Sequence, residues 1–192
     1  MSGKPQFPEL HTLRLRLRGL RPGDEEFLAS LDSDPRVMQH IHEGAMPYED
    51  ALYYARNQIE LAPYHWRAGK WLLESRADGA RLGWVELGKL SGPDRDDLQV
   101  GYELAPAHWG RGYATEAVSR VLEHAFASLK LDRVAAIARP ANAASVRVLE
   151  KMGFQRVGRR QDAGRVWCDE FRLTAEELAA GAVRSKVGYS RC

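Results

Sequence analysis

The chain has 192 residues, 28 Lys and Arg against 26 Asp and Glu, and a net charge of +2. That length suits one domain with a real core, and so small a charge gives no argument for a nucleic-acid partner. The N-terminus lacks an apolar signal core, no apolar run could span a membrane, and two cysteines (Cys168 in an expected strand, Cys192 at the end) make no disulfide framework, so a cytoplasmic protein is expected.

Residues 1–9 hold two prolines and little periodicity and read as a flexible arm. From Thr12 to Leu20, Leu13, Leu15 and Leu17 alternate with Arg14, Arg16 and Arg18, the pattern of a strand with one buried and one solvated face. Arg21-Pro22-Gly23-Asp24 turns into a helix with Asp24 as N-cap, and Asp34-Pro35 starts a second, short helix. His40, His42 and Glu43 cluster near its end, but the two histidines fall on different helical faces, so no metal site is expected. Pro47 opens a third helix, which Pro63 ends, and Tyr64-His65-Trp66 follows as core cover or as the rim of a substrate cleft. Lys70–Glu74 and Leu82–Leu90 read as strands joined at Asp78-Gly79, and Ser91-Gly92-Pro93-Asp94 turns into the next strand.

The chain is organised around the stretch from Leu98 to Leu129. Val100, Tyr102 and Leu104 alternate with Gln99, Gly101 and Glu103 as in a half-buried strand, and from Ala114 the apolar residues recur at helical spacing. Between them lies Trp109-Gly110-Arg111-Gly112-Tyr113-Ala114. A glycine turn at a helix N-terminus, where amides lack partners and the dipole is positive, is a seat for a phosphate or pyrophosphate; a plain tight turn is the alternative. It is neither a P-loop, since no Gly-Lys-Ser/Thr follows, nor a dinucleotide fingerprint, since Thr115 replaces the third glycine. Further on come a strand over Arg133–Ala138, parallel to the central one, and a helix over Asn142–Met152 closed by Gly153. Strands around Phe154–Arg160 and Val166–Leu173 flank a turn at Asp162-Ala163-Gly164. A Thr174-x-x-Glu177 capping box starts a last short helix, and residues 179–192 read as a basic, mobile tail.

Tyr102-Glu103-Leu104 followed by His108 to Ala117 resembles the acetyl-CoA-binding motif of GNAT acetyltransferases, Gln/Arg-x-x-Gly-x-Gly/Ala. Gly112 and Ala114 fill the last two places, and Trp109 stands where Gln or Arg is usual. With Asn142 to Ser145 and Val148 to Phe154, the combination is similar to the RimJ/RimL-type branch of ribosomal-protein N-terminal acetyltransferases. The resemblance covers about Leu10 to Leu173. It implies one mixed α/β domain over residues 10–178, with about seven strands, flanking helices and a sheet splayed between its two central parallel strands. It also implies acetyl-CoA as co-substrate, no metal, and an amine acceptor that is a protein N-terminus or a small molecule such as an antibiotic, polyamine or amino acid. A non-catalytic acyl-CoA sensor is the alternative of another class. The sequence itself carries no signal on oligomeric state, and a homodimer is left open.

On this reading Gly110, Arg111, Gly112, Tyr113, Ala114 and Thr115 hold the pyrophosphate beside Trp109, with the Arg111 side chain either assisting or solvated. Leu104 and Ala105 offer N–H groups at a free strand edge to the thioester carbonyl and to the oxyanion formed on attack. Asn142 bonds the pantetheine arm or caps its helix. Ser145, by the resemblance, gives a proton to the leaving thiolate; an ordinary first-turn serine is the alternative. Glu103 is the candidate general base, set against a surface carboxylate, with Glu86 as rival. The base has little to do for some acceptors: an α-amine of pKa ~8 is already ~10% neutral at pH 7, a lysine amine only ~0.04%.

Overall fold

The structure is a computed structural model that describes residues 7–41, 44–62, 68–89, 97–162 and 165–188, with side chains described as far as residue 181. Eight strands form one sheet: β1 (Leu10–His11), β2 (Leu15–Gly19), β3 (Lys70–Ser75), β4 (Arg81–Lys89), β5 (Leu98–Leu104), β6 (Arg133–Ala138), β7 (Gln155–Gln161) and β8 (Trp167–Thr174). Their order is β1-β2-β3-β4-β5-β6-β8-β7, and every neighbouring pair is antiparallel except β5 and β6. The helices are α1 (Glu25–Asp32), α2 (Pro35–Met38), α3 (Tyr48–Leu61), α4 (Tyr113–Glu123), α5 (Ala143–Lys151) and α6 (Ala175–Gly188). The strand beyond the seven expected is β1. Thr12 bends the chain there, its amide and hydroxyl bonding the Leu15 carbonyl, and Leu13 is left 87% exposed instead of continuing the buried alternation of Leu15 and Leu17.

Period-two alternation gives the sheet two apolar faces. Leu15, Leu17, Trp71, Leu73, Val85, Leu87, Val100 and Leu104 point to one side and bury Ala117, Val118, Val121 and Leu122 of α4 with Leu149 of α5. Leu72 and Trp84 point to the other, against Leu28, Leu31, Ala55 and Ile59 of α1 and α3. The third helix begins after Pro47 and ends at Leu61. After Glu123, α4 widens into a π-turn over His124–Ser128, closed by the Leu129 amide on the His124 carbonyl.

Caps follow the sequence in most places. Asp34 accepts from the Arg36 amide at 2.9 Å, Gly153 takes φ 87° after α5, and Thr174 and Glu177 exchange the two bonds of a capping box. The exception is Asp24, whose side chain makes no cap bond. Its carboxylate lies against the Arg18 guanidinium at 2.7 and 2.8 Å, and Glu74 meets Arg18 Nε at 2.7 Å. Arg18 is 4% exposed, so the arginine stripe is not a solvated face throughout. A buried guanidinium requires paired carboxylates, and the β2–α1 turn delivers one of them. Burial pushes Asp24 upward, but the bonds from Arg18 and the Arg21 amide outweigh it and hold the carboxyl below its usual range.

Phe7 stacks on Trp71 with ring centroids 4.6 Å apart, the Trp71 indole donates to the Pro8 carbonyl at 2.7 Å, and Glu9 holds Arg16. These residues of the expected arm are therefore fastened to the sheet edge. At the other end, α6 runs to Gly188, well into the expected tail. His42, Glu43, the Tyr64-His65-Trp66 loop, the Ser91-Gly92-Pro93-Asp94 turn, Ala163-Gly164 and Cys192 lie outside the described residues. Replacing Asp24 by Ala leaves a buried guanidinium short of a partner; chemical denaturation should show a loss of about 3 kcal/mol.

Candidate active site

The parallel strands β5 and β6 share one register pair, Gln99 with Ala135, and then separate. A cavity of about 260 Å³ opens in the gap, lined by residues 99–103 of β5, residues 136–139 of the β6 end, and side chains from both faces of the sheet. It brings together Glu103, Asn142 and Ser145, which the sequence singles out separately. The loop residues do not line it; they follow the end of β5 and run into α4.

Glu103 is 7% exposed, not a surface carboxylate. It pairs across the ladder with Trp84, so it faces the α1–α3 side, and its Oε2 has no hydrogen-bond partner. Gly83 lets the backbone of Glu103 come this close: a Cβ at Gly83 would collide with the Glu103 carbonyl oxygen. Burial pushes the carboxyl pKa up to about 8. Lys70 opposes the shift, Asp32 and Glu86 add to it, and a bond from the Trp84 indole opposes it again. Lys70 Nζ rests 3.6 Å from the centroid of the Trp84 ring and 3.8 Å from Glu86. Glu86, the rival, lines the same cavity on the strand next to Glu103.

On the opposite face, the Tyr102 hydroxyl lies 2.9 Å from Ser145 Oγ and 3.1 Å from the Ser145 carbonyl oxygen. Burial pushes the phenol up to about 12, with the Ser145 bond acting against the shift, so it keeps its proton. In the sequence Tyr102 reads as a core-face residue without a role. The signal was there in its parity: Tyr102 alternates with Val100 and Leu104, which face the helix side that carries Ser145. Asn142 Oδ1 caps α5 by accepting from the Ser145 amide at 3.1 Å. Capping uses only the oxygen, so the two amide N–H groups are left over for a ligand carbonyl.

At the end of β5 the Ala105 amide donates to the Leu82 carbonyl at 2.9 Å. Ala105 therefore offers no free N–H to an acyl oxygen, contrary to the sequence expectation, because β4 extends far enough to take it. Antiparallel alternation then turns the Leu104 amide away from β4, toward the gap. Trp109 closes the strand end from the other side, its indole N–H bonding the Leu104 carbonyl at 2.7 Å. Gly110 and Gly112 take φ of 72° and 79° and are exposed. Gly112 is the N-cap of α4 and has no side chain to cap with; the first helical bond runs from the Glu116 amide to the Gly112 carbonyl. The amides of Tyr113, Ala114 and Thr115 thus stand at an open, positive helix end, with Arg111 exposed beside it. This donor set fits a pyrophosphate.

A split mixed sheet with a glycine-capped helix after the strand at the split is shared with a known class. The sequence profile described as Acetyltransferase (GNAT) domain matches residues 14–155, and the chain belongs to the GNAT family. It is an acetyl-CoA-dependent N-acetyltransferase, and several of its relatives are named N-acetyltransferases. It is 34% identical over 154 residues to the uncharacterized N-acetyltransferase YoaA of Bacillus subtilis, covering 79% of this chain and 85% of that one. A GNAT-family acetyltransferase structure from Bacillus anthracis superposes with a TM-score of 0.74 at 26% identity, over 88% of this chain and 99% of that one. Mycobacterium smegmatis RimJ, solved in complex with CoA-disulfide, shares the fold with a TM-score of 0.73 at 22% identity, over 93% of each chain. No cluster of potential metal ligands occurs among the described residues, and none of their helices is long and apolar enough to cross a membrane.

Glu103 makes stability depend on pH in a direction fixed by its raised pKa. Between the unfolded value near 4.3 and the folded value of about 8, the folded chain binds the extra proton, so stability is full at low pH and is lost as pH rises through this window. Glu103→Gln should raise the melting temperature at pH 9 and change it little at pH 4.

Proposed function

We propose that this enzyme acetylates α-amines by direct transfer, with Glu103 as the base on one face of the sheet and Ser145, backed by Tyr102, as the acid on the other. One observation supports this most: a single cavity joins a buried carboxyl, one of whose oxygens has no hydrogen-bond partner, to a hydrogen-bonded hydroxyl pair through the gap in the sheet. Acetyl-CoA supplies an activated acyl carbon. The backbone amides of Tyr113, Ala114 and Thr115, with the other amides of the 110–115 loop, hold the pyrophosphate, and the Asn142 amide group bonds the pantetheine arm. The Leu104 N–H bonds the carbonyl oxygen and the charge that grows on it. The acceptor nitrogen comes from the α1–α3 side and bonds the carbon. Glu103 takes the proton that the nitrogen sheds, the carbon–sulfur bond breaks, and the sulfur takes a proton from Ser145 Oγ, which Tyr102 can replace.

The preference for an α-amine follows from matching. A carboxyl near 8 and an amine near 8 exchange a proton at little cost, whereas a lysine-type amine near 10.4 holds its proton against such a base. A protein N-terminus fits this reading. A small polycation is the second reading, because the carboxylates of Asp32 and Glu86 line the same cavity as Glu103. A panel of peptides with a free N-terminus, N-blocked peptides carrying lysine, and short diamines separates the two. Free-thiol release should be fastest with the free N-termini; faster release with the diamines would reverse the order.

With an acceptor amine that is neutral throughout pH 6–9, kcat/KM should rise with pH and level off near 8. Glu103→Gln should remove that limb and lower kcat ~10²-fold. Ser145→Ala should lower kcat with little change in acetyl-CoA affinity, and the double change with Tyr102→Phe should be less than additive, since the two hydroxyls act as one unit. Asn142→Ala, in contrast, should weaken acetyl-CoA binding. Kinetics at saturating acceptor, with direct binding of desulfo-CoA, distinguish these outcomes.

A further inference from the structure

The turn between β1 and β2 reaches across to the start of α4. Arg14 Nε and a terminal nitrogen both lie 2.6 Å from Glu116 Oε2. Glu116 is held in turn by the Thr12 hydroxyl at 2.6 Å and by the Arg14 amide at 3.0 Å. The remaining terminal nitrogen of Arg14 donates to the Arg111 carbonyl at 3.0 Å, and the guanidinium carbon stands 4.5 Å from the centroid of the Tyr113 ring. One planar side chain therefore ties a residue of the helix's first turn, an aromatic ring beside it and a loop carbonyl into a fixed arrangement.

The loop carbonyl matters most. A trans peptide is planar and its C=O and N–H point in opposite directions. The described chain has no cis peptide. Drawing the Arg111 oxygen toward Arg14 therefore aims the Gly112 N–H the other way, away from the guanidinium. Gly112 has φ 79° and no side chain to brace it, so nothing local fixes this peptide plane. The Arg14 side chain is 44% exposed, and exposed ion pairs contribute little to folding. Four bonds converge on this arginine, and one of them, to the Arg111 carbonyl, reaches the loop.

We propose that Arg14, locked by Glu116, is a positioning residue of the cofactor site that sets the Arg111–Gly112 peptide so that the Gly112 amide faces the pyrophosphate. The inference rests on the pyrophosphate reading of the 110–115 loop. It adds to the site a residue nearly a hundred positions away in sequence, on an element that the loop motif does not include. Glu116 is held below its usual pKa; burial alone would raise it, and the bonds from Thr12 and Arg14 overcome that, so the lock is closed across the neutral range.

The test compares two acyl donors: acetyl-CoA, and acetyl-pantetheine, which carries the same thioester without the pyrophosphate. Arg14→Ala should lower the ratio of kcat/KM for acetyl-CoA to that for acetyl-pantetheine ~10-fold, through KM, as expected for one mis-aimed hydrogen bond to a charged group. Glu116→Gln should lower the ratio in the same direction. Arg14→Lys keeps the charge but lacks the fork that reaches Glu116 and the Arg111 carbonyl together, so it should stay close to the alanine variant. An equal loss with both donors would assign Arg14 to the fold alone and overturn the proposal. Full recovery by lysine would reduce its role to bulk charge and overturn it too. Should the unaltered enzyme show no preference for acetyl-CoA over acetyl-pantetheine, the pyrophosphate reading itself fails, an outcome separate from the other two.

Discussion

Everything in this enzyme depends on the failure of β5 and β6 to stay together. Parallel strands joined by a right-handed crossover through α4 would ordinarily pair along their length. Here they pair once and diverge. The gap exposes the Leu104 amide, lets a cavity run from one face of the sheet to the other, and places Glu103 and Ser145 on opposite sides of it. A continuous ladder would consume the amide and close the passage. The split is bridged by packing instead: α4 lies against β4 and β5, and α5 against β6 and α4.

That arrangement divides the labour by strand parity. On β5, the odd residue Glu103 looks toward α1 and α3, where Trp84, Lys70 and Glu86 surround it. The even residues Val100, Tyr102 and Leu104 look toward α4 and α5, and among them Tyr102 meets Ser145. Glu103 and Tyr102, the proposed base and the partner of the proposed acid Ser145, are adjacent in sequence and are sent to opposite faces by the pleat. The buried carboxyl is costly to the fold, and it survives because its neighbours on all sides are held by the sheet register. This is the usual way a site holds a group at a pKa that water would not allow.

Much of this was legible in the sequence. The alternation in β5, the change to helical period at Ala114, the glycine pair between them and the caps at Asp34, Gly153 and Thr174 are local signals, and local chemistry decides them. What could not be read depends on distant partners. Asp24 reads as a cap because Asp before a helix usually is one; Arg18, brought in by the β2 pairing, takes it instead. Ala105 reads as a free edge because the sequence, though it shows a strand from Leu82, does not show that Leu82 lies opposite Ala105. Leu13 fits its alternation perfectly and is exposed because the chain bends at Thr12. Glu103 reads more readily as a surface carboxylate than as a base, since burial of an outward-parity residue requires a second layer of helices, and one strand says nothing about that layer. Arg14 gives no hint at all of its place beside a loop that lies about a hundred residues on.

The π-turn at the end of α4 has a mechanical consequence. The near end of that helix must be set accurately, because three of its amides and Gly112 form the open seat. The far end must deliver the chain, through residues 129–132, to the first residue of β6 at a height fixed by the sheet. A regular helix would transmit any mismatch between these two demands along its whole length. The widened turn at His124–Ser128 takes up the difference beyond the regular part of the helix, while its Ala125 stays in the core. Leu129 and Leu131 still come round to the apolar face after it. The seat is thus insulated from the crossover. Drift in the length or path of the 129–132 connection can be absorbed at the distal end while the proximal turn stays in place.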